Sequence, residues 1–142
     1  MAVTLVMYGT SMHDALNGTV DWDSGDIYMG LLTAYTFSED HTTWTEVKAA
    51  GTEHSTANGY TVGGKTVGTT THAYASGIST FGSPDVVWTA TGALTAAYAI
   101  CFNNSTGVAI FCINFGGNVT ATDAAFTVDD TPDGYFSIDV SP

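Results

Sequence analysis

Arginine is absent from this 142-residue chain and lysine occurs only twice, at Lys48 and Lys65, against 14 acidic residues, for a formal net charge of −12. That balance excludes nucleic acid as a partner, because phosphate contacts need clustered cations and an acidic field repels a polyanion. Anionic membrane surfaces are disfavoured on the same ground. Charge of either sign is scarce: Asp, Glu, Lys and Arg make up 11% of the residues, under half of the roughly 25% usual in soluble domains. The outside must then consist largely of Thr, Ser, Gly, Asn and small apolar groups. Such a surface suits packing against neighbours, so an oligomer or an assembly component is expected. No apolar run approaches the roughly 18 to 20 residues of a spanning helix. The first eight residues lack a basic stretch, so no secretory leader is expected either.

Cysteine is almost as rare. Cys101 and Cys112 lie in adjacent apolar segments; two buried thiols are the expectation, with a cross-strand disulfide as the alternative. Strong helix formers are also few, whereas Thr, Val, Gly and aromatics abound and turn clusters interrupt the chain about every ten residues. This pattern predicts an all-β fold, a single-domain antiparallel β-sandwich of jelly-roll-like form covering residues 1–142, with one short N-terminal helix over residues 10–17. In that helix Thr10 or Ser11 is the N-cap, Met12, Ala15 and Leu16 form an apolar face, and Gly18 ends it.

Strands are expected at residues 26–34, at 59–67 with a kink at Gly63 and Gly64, at 69–75 as an edge, and at 85–90, 124–128 and 135–140. In the last of these, Phe136, Ile138 and Val140 share one face. The segments 94–102 and 108–115 are apolar on both faces and read as a central hairpin around the turn at residues 103–107, covered on both sides. Residues 36–55 show neither period clearly and read as a long polar excursion with one short strand near Trp44, the kind of loop that makes contacts.

Few constellations could carry chemistry. Asp21, Asp23 and Asp26 surround a Gly turn and are a weak calcium candidate, but the positions that would complete an EF-hand loop hold Gly25, Asp26 and Leu32, so no metal is expected. The turn at residues 129–134 is a weaker case of the same kind. His13, His41, His54 and His72 are too scattered for a zinc site on one element. His13-Asp14 has no nucleophile elbow to serve, and Gly63-Gly64-Lys65-Thr66 lacks the rest of a phosphate loop. No catalytic residue and no cofactor are assigned, and the protein is expected not to be an enzyme. Trp22, Trp44, Trp88, Tyr60 and Tyr98 are spread through the chain without pairing and are expected in core and interface packing, with a sugar-stacking platform of the lectin kind as the alternative.

A series of short segments spread over most of the chain stands in an order that is itself informative. They are Tyr8-Gly9, Val20-Asp21-Trp22-Asp23 leading into Asp26-Ile27-Tyr28-Met29-Gly30-Leu31-Leu32-Thr33, and then Tyr35-Thr36, His41 and Trp44. Asn58-Gly59-Tyr60-Thr61-Val62-Gly63-Gly64, Val86-Val87-Trp88, Ala97-Tyr98-Ala99-Ile100, Ile113-Asn114-Phe115-Gly116, Phe126-Thr127-Val128 and Asp133-Gly134-Tyr135-Phe136 follow. Read together, they resemble the small capsid decoration, or cement, proteins of tailed bacteriophages. The resemblance implies a virion structural protein, a β-sandwich made in the host cytoplasm that sits on the outer capsid surface. It further implies a homotrimer that bridges neighbouring major capsid proteins. A tail or fibre component is the nearest other placement. On this reading residues 1–10 and 36–55 make the contacts, with Val3, Leu5, Tyr8, Phe37, His41 and Trp44 as candidate interface residues.

Overall fold

No charged residue occurs between Asp85 and Asp123, so nothing in that stretch resists burial, and it supplies the centre of the fold. The computed structural model describes residues 3–129 and 134–139. It is all-β and sandwich-like, with two short helices. The elements in chain order are β1 (Thr4–Met7), α1 (Ser11–Leu16), β2 (Ile27–Tyr35), α2 (Trp44–Ala49), β3 (Gly51–Glu53), β4 (Lys65–Thr66), β5 (Thr71–Ala75), β6 (Ile78–Gly82), β7 (Val86–Thr89), β8 (Ala93–Asn103), β9 (Ala109–Thr122), β10 (Ala125–Val128) and β11 (Phe136–Asp139). The main sheet runs β1-β9-β8-β2-β3, with β4 also on β2, and all its pairings are antiparallel. A β10-β7 pair and a three-stranded β11-β6-β5 sheet complete the strands.

Because successive strand residues point to opposite faces, a doubly covered strand must be apolar at every position. The central hairpin meets that condition. Leu31, Cys101 and Phe111 face one cluster, closed by Trp88 and Phe126 from the β7-β10 pair, while Leu32, Ile100 and Cys112 face a second. The second cluster is closed by Tyr8 and by Trp44 and Val47 of α2, so the chain's own helix supplies the cover on that side. Trp44 lies flat on Phe102, with centroids 4.6 Å apart and planes within 6°. A Cβ on Gly30 would stand 2.8 Å from that indole, so only glycine lets the helix come so close.

Several expectations need correction. Residues 36–55 are not an irregular excursion with a strand at Trp44; they contain α2 and β3. Thr43 caps the helix by accepting from Glu46 N at 3.3 Å, and the Glu46 carboxylate accepts from Thr43 N at 3.0 Å, a reciprocal capping box. Residues 59–67 form no broken strand. Positive φ at Asn58, Gly59, Gly63 and Gly64 turns the backbone repeatedly, leaving only the two residues of β4 paired to β2. Gly64 packs against the carbonyl of Met29, where a side chain would collide.

The apolar face assigned to α1 points outward: Leu16 is 83% exposed and Met12 41%, while Ser11 is buried. Strand β6, which the sequence reading left out, pairs with both β5 and β11. Residues 130–133 of the acidic turn, Val140, and the first two residues of the N-terminal contact segment lie outside the described residues.

Candidate interaction surface

Each proposed chemical cluster resolves into separate structural tasks. Asp21 Oδ1 accepts from Asp23 N at 3.0 Å, which shapes the turn. Asp23 pairs with His72, 3.0 Å from Nδ1. Asp26 reaches across to the central hairpin, where its carboxylate accepts from Ser105 N at 2.7 Å and from the Ser105 hydroxyl. Those donors hold the Asp26 carboxyl below the ordinary aspartate range, the Ser105 hydroxyl contributing most. The three aspartates therefore serve three different partners. Among the described residues no three His, Cys, Asp or Glu side chains gather as metal ligands.

The two cysteines are free and buried. They belong to the clusters on opposite faces of the sheet, which rules out the disulfide alternative, since a bridge needs converging Cβ vectors. Burial pushes the Cys112 thiol up to about 12 and Cys101 well upward.

Of the six residues expected at an interface, two are core. Tyr8 is 1% and Trp44 7% exposed, because their rings fill the space over Ile100, Phe102 and Cys112; neither can meet a partner. Phe37 packs partly buried on the same cluster, stacked on Tyr8 at 5.4 Å. His41 accepts or donates through Nδ1 to the Tyr35 hydroxyl at 2.7 Å, and that hydroxyl lies 3.0 Å from Tyr8 Oη. Burial raises both tyrosines above their usual range. This buried relay anchors residues 36–43 to the sheet. Of the six, Val3 alone is exposed, at 65%, while Leu5, like Phe37 and His41, is half-buried, Leu5 against the first cluster. The aromatics largely follow the core-packing expectation: Trp88 and Tyr60 are buried along with Trp44, and Trp22 is wedged among Phe81, Phe111 and Phe136.

What the surface does offer is apolar and uncharged. The β5-β6 hairpin projects with every β5 residue exposed, Tyr74 at 69% and Ile78 at 37%. The sequence signal for it was available: the acid-free stretch from His54 to Pro84 contains Lys65 as its single Lys or Arg. Beside β1 lie two depressions of about 520 and about 550 Å³. No helix among the described residues is long and apolar enough to cross a membrane. Compared with family models, curated proteins and solved structures, the chain matches none.

Proposed function

We propose that this chain is a structural virion protein that binds the outside of a tailed-phage capsid and cements neighbouring major capsid subunits, acting as a homotrimer. The observation that carries the reading is an exposed outer strand, β5, of a hairpin that holds no Asp, Glu, Lys or Arg, and the resemblance of the ordered sequence segments to decoration proteins supports it. An unprotected hairpin of this kind is a liability for a free monomer and is normally guarded by charge, proline or cover. Strand β11 covers the β6 side, but β5 is left as an exposed edge without charge or proline of its own, which fits a surface that spends its life against another protein. The scarcity of cations supports a partner met through apolar and backbone contacts, with nucleic acid and membrane left aside.

The test is addition of purified protein to capsids assembled without it. The expected result is saturable co-sedimentation and a higher temperature of capsid disruption; light scattering of the free protein should give the mass of a trimer. Failure to bind, together with unchanged particle stability on removal, sinks the role.

A further inference from the structure

Strand β1 ends the main sheet, and its outer edge has no strand partner among the described residues. Half of an edge strand's backbone N–H and C=O groups face outward and can template another strand. Apart from shortness, β1 carries none of the devices that guard such edges: residues 3–7, Val-Thr-Leu-Val-Met, include no charge and no proline. Its register with β9 is unbroken, from Thr4 opposite Asn114 to Met7 opposite Phe111.

The two depressions flank this edge on the face of the first core cluster. One is walled by Met7, Leu16, Trp22, Phe136 and Ile138, the other by Val3, Leu5, Phe115, Phe126 and Tyr135. Leu5 and Met7 of β1, with Val3 just before the strand, thus divide their side chains between the two. A strand laid beside β1 would repeat that period and drop its own alternate side chains into the same hollows. Among the described residues, one charged side chain lines each depression, and in both it is a carboxylate: Asp21 in the first and Asp129 in the second.

We infer that the free edge of β1 binds an extended segment of a different protein, apolar at alternate positions and flanked by cationic residues that meet Asp21 and Asp129. A second copy of this chain fits poorly. It carries the same net charge of −12 and only two lysines, of which Lys48 lies over Trp44 and Lys65 donates to the Val87 carbonyl. The inference rests on the proposed function only for which protein supplies the segment, since the edge and its hollows are properties of this chain alone.

The probe is the peptide Lys-Ser-Val-Thr-Ile-Thr-Phe-Ser-Lys, whose apolar and end residues share one face, titrated into ¹⁵N-labelled protein. Two controls have the same length: one with Glu at both ends, and one with the three apolar residues contiguous. Saturable shifts confined to residues 3–7 and the hollow walls, with slowed exchange of the β1 amides, are expected below about 1 mM peptide. Each control should bind about ten-fold more weakly at low salt. Joint Asp21→Asn and Asp129→Asn substitution should erase the preference for Lys over Glu ends. Val3→Asp, at an exposed position that folding tolerates, should weaken binding several-fold.

The inference fails if no saturable shifts arise by about 1 mM, if they map elsewhere, or if both controls bind equally well. It also fails if the protein dimerises through β1 without peptide, which assigns the edge to a second copy. Peptide binding with no capsid binding would sink the capsid reading and leave the edge standing.

Discussion

Strands β8 and β9 meet across a turn, as do β5 and β6, and neither hairpin contains Asp, Glu, Lys or Arg. Yet the first is the most buried part of the molecule and the second among the most exposed. Leu94, Ala99, Ile100, Cys101 and Phe111 have no accessible surface, whereas all five residues of β5 are exposed. The difference lies in apolar volume, not in charge. The central hairpin carries Leu, Ile, Phe and Cys on both faces, enough to fill two cores; the outer one is mostly Thr, Ala and Ser, with Tyr74 and Ile78 standing alone on its exposed part. Lack of charge permits burial, and large side chains drive it. A hairpin with the first property and not the second is left at the surface without the protection that charge gives.

The sharpest way to break this contrast is to remove volume from the inner hairpin. Phe111 is fully buried, opposite Cys101 and Met7, and its ring touches Trp22, Tyr135 and Phe136 at 5.1 to 6.5 Å between centroids. Phe111→Ala should cost about 3 to 5 kcal/mol, read from urea or thermal denaturation. A loss under about 1 kcal/mol means the inner hairpin is not the stability centre that its burial implies.

The thiols sharpen the same contrast through reactivity. Only the thiolate attacks a disulfide reagent, and burial raises both cysteines. Folded protein should leave Cys101 and Cys112 unmodified by an aromatic disulfide reagent at pH 8, and both should react once guanidinium unfolds the chain. Rapid labelling of either in the native state would show that the hairpin opens locally, well below the cost of global unfolding.

A third effect concerns what fastens the inner turn and the outer one lacks. Asp26 holds Ser105 at the tip of β8-β9 through the backbone and the hydroxyl. Its carboxyl is held below the ordinary value, so the folded state binds a proton there less readily than the unfolded chain. This contribution is complete above the ordinary aspartate range and disappears as pH falls through the folded value. The acid limb of the stability curve should therefore flatten in Asp26→Asn, with variant and parent converging at low pH and the variant weaker at neutrality. A parallel offset at every pH would contradict the clamp.

The two regions were not equally legible in the sequence. The inner hairpin announces itself, because Leu94 to Phe115 carries apolar residues at consecutive positions on either side of an Asn-Asn-Ser-Thr-Gly turn, and burial on two faces is the stable outcome. Strand β2 was visible for the same reason, and β7 and β10 by the alternation of buried and exposed residues of strands covered on one face. What hid the rest was local backbone chemistry. Residues 43–46, Thr-Trp-Thr-Glu, spell a capping box before Val47, a helix signal easily missed in a six-residue helix that gains its stability from Trp44 packing on Phe102. Positive φ at Gly63 and Gly64 turned an apparent strand into a loop held by the Tyr60 hydroxyl, which donates to Glu53 at 2.8 Å. The interface expectation failed at Tyr8 and Trp44 because aromatic content alone does not distinguish a contact from a core. Val3 and Leu5 stand at the free edge of the main sheet, Val3 just before β1 and Leu5 within it.

The smallest stability effect carries the most functional information. Tyr74 and Ile78 lie on the outer hairpin, outside both core clusters and open to solvent, so Tyr74→Ala and Ile78→Ser should each change folding stability by no more than about 0.5 kcal/mol. If the charge-free hairpin is kept exposed because a partner covers it, the same substitutions should lower capsid binding, since buried aromatic anchors dominate protein interfaces. Co-sedimentation of the double variant with capsids lacking the protein, at matched folding stability, separates the two roles. Undiminished binding would leave the outer hairpin without the task that its exposure suggests, and would move the search for the contact to β1.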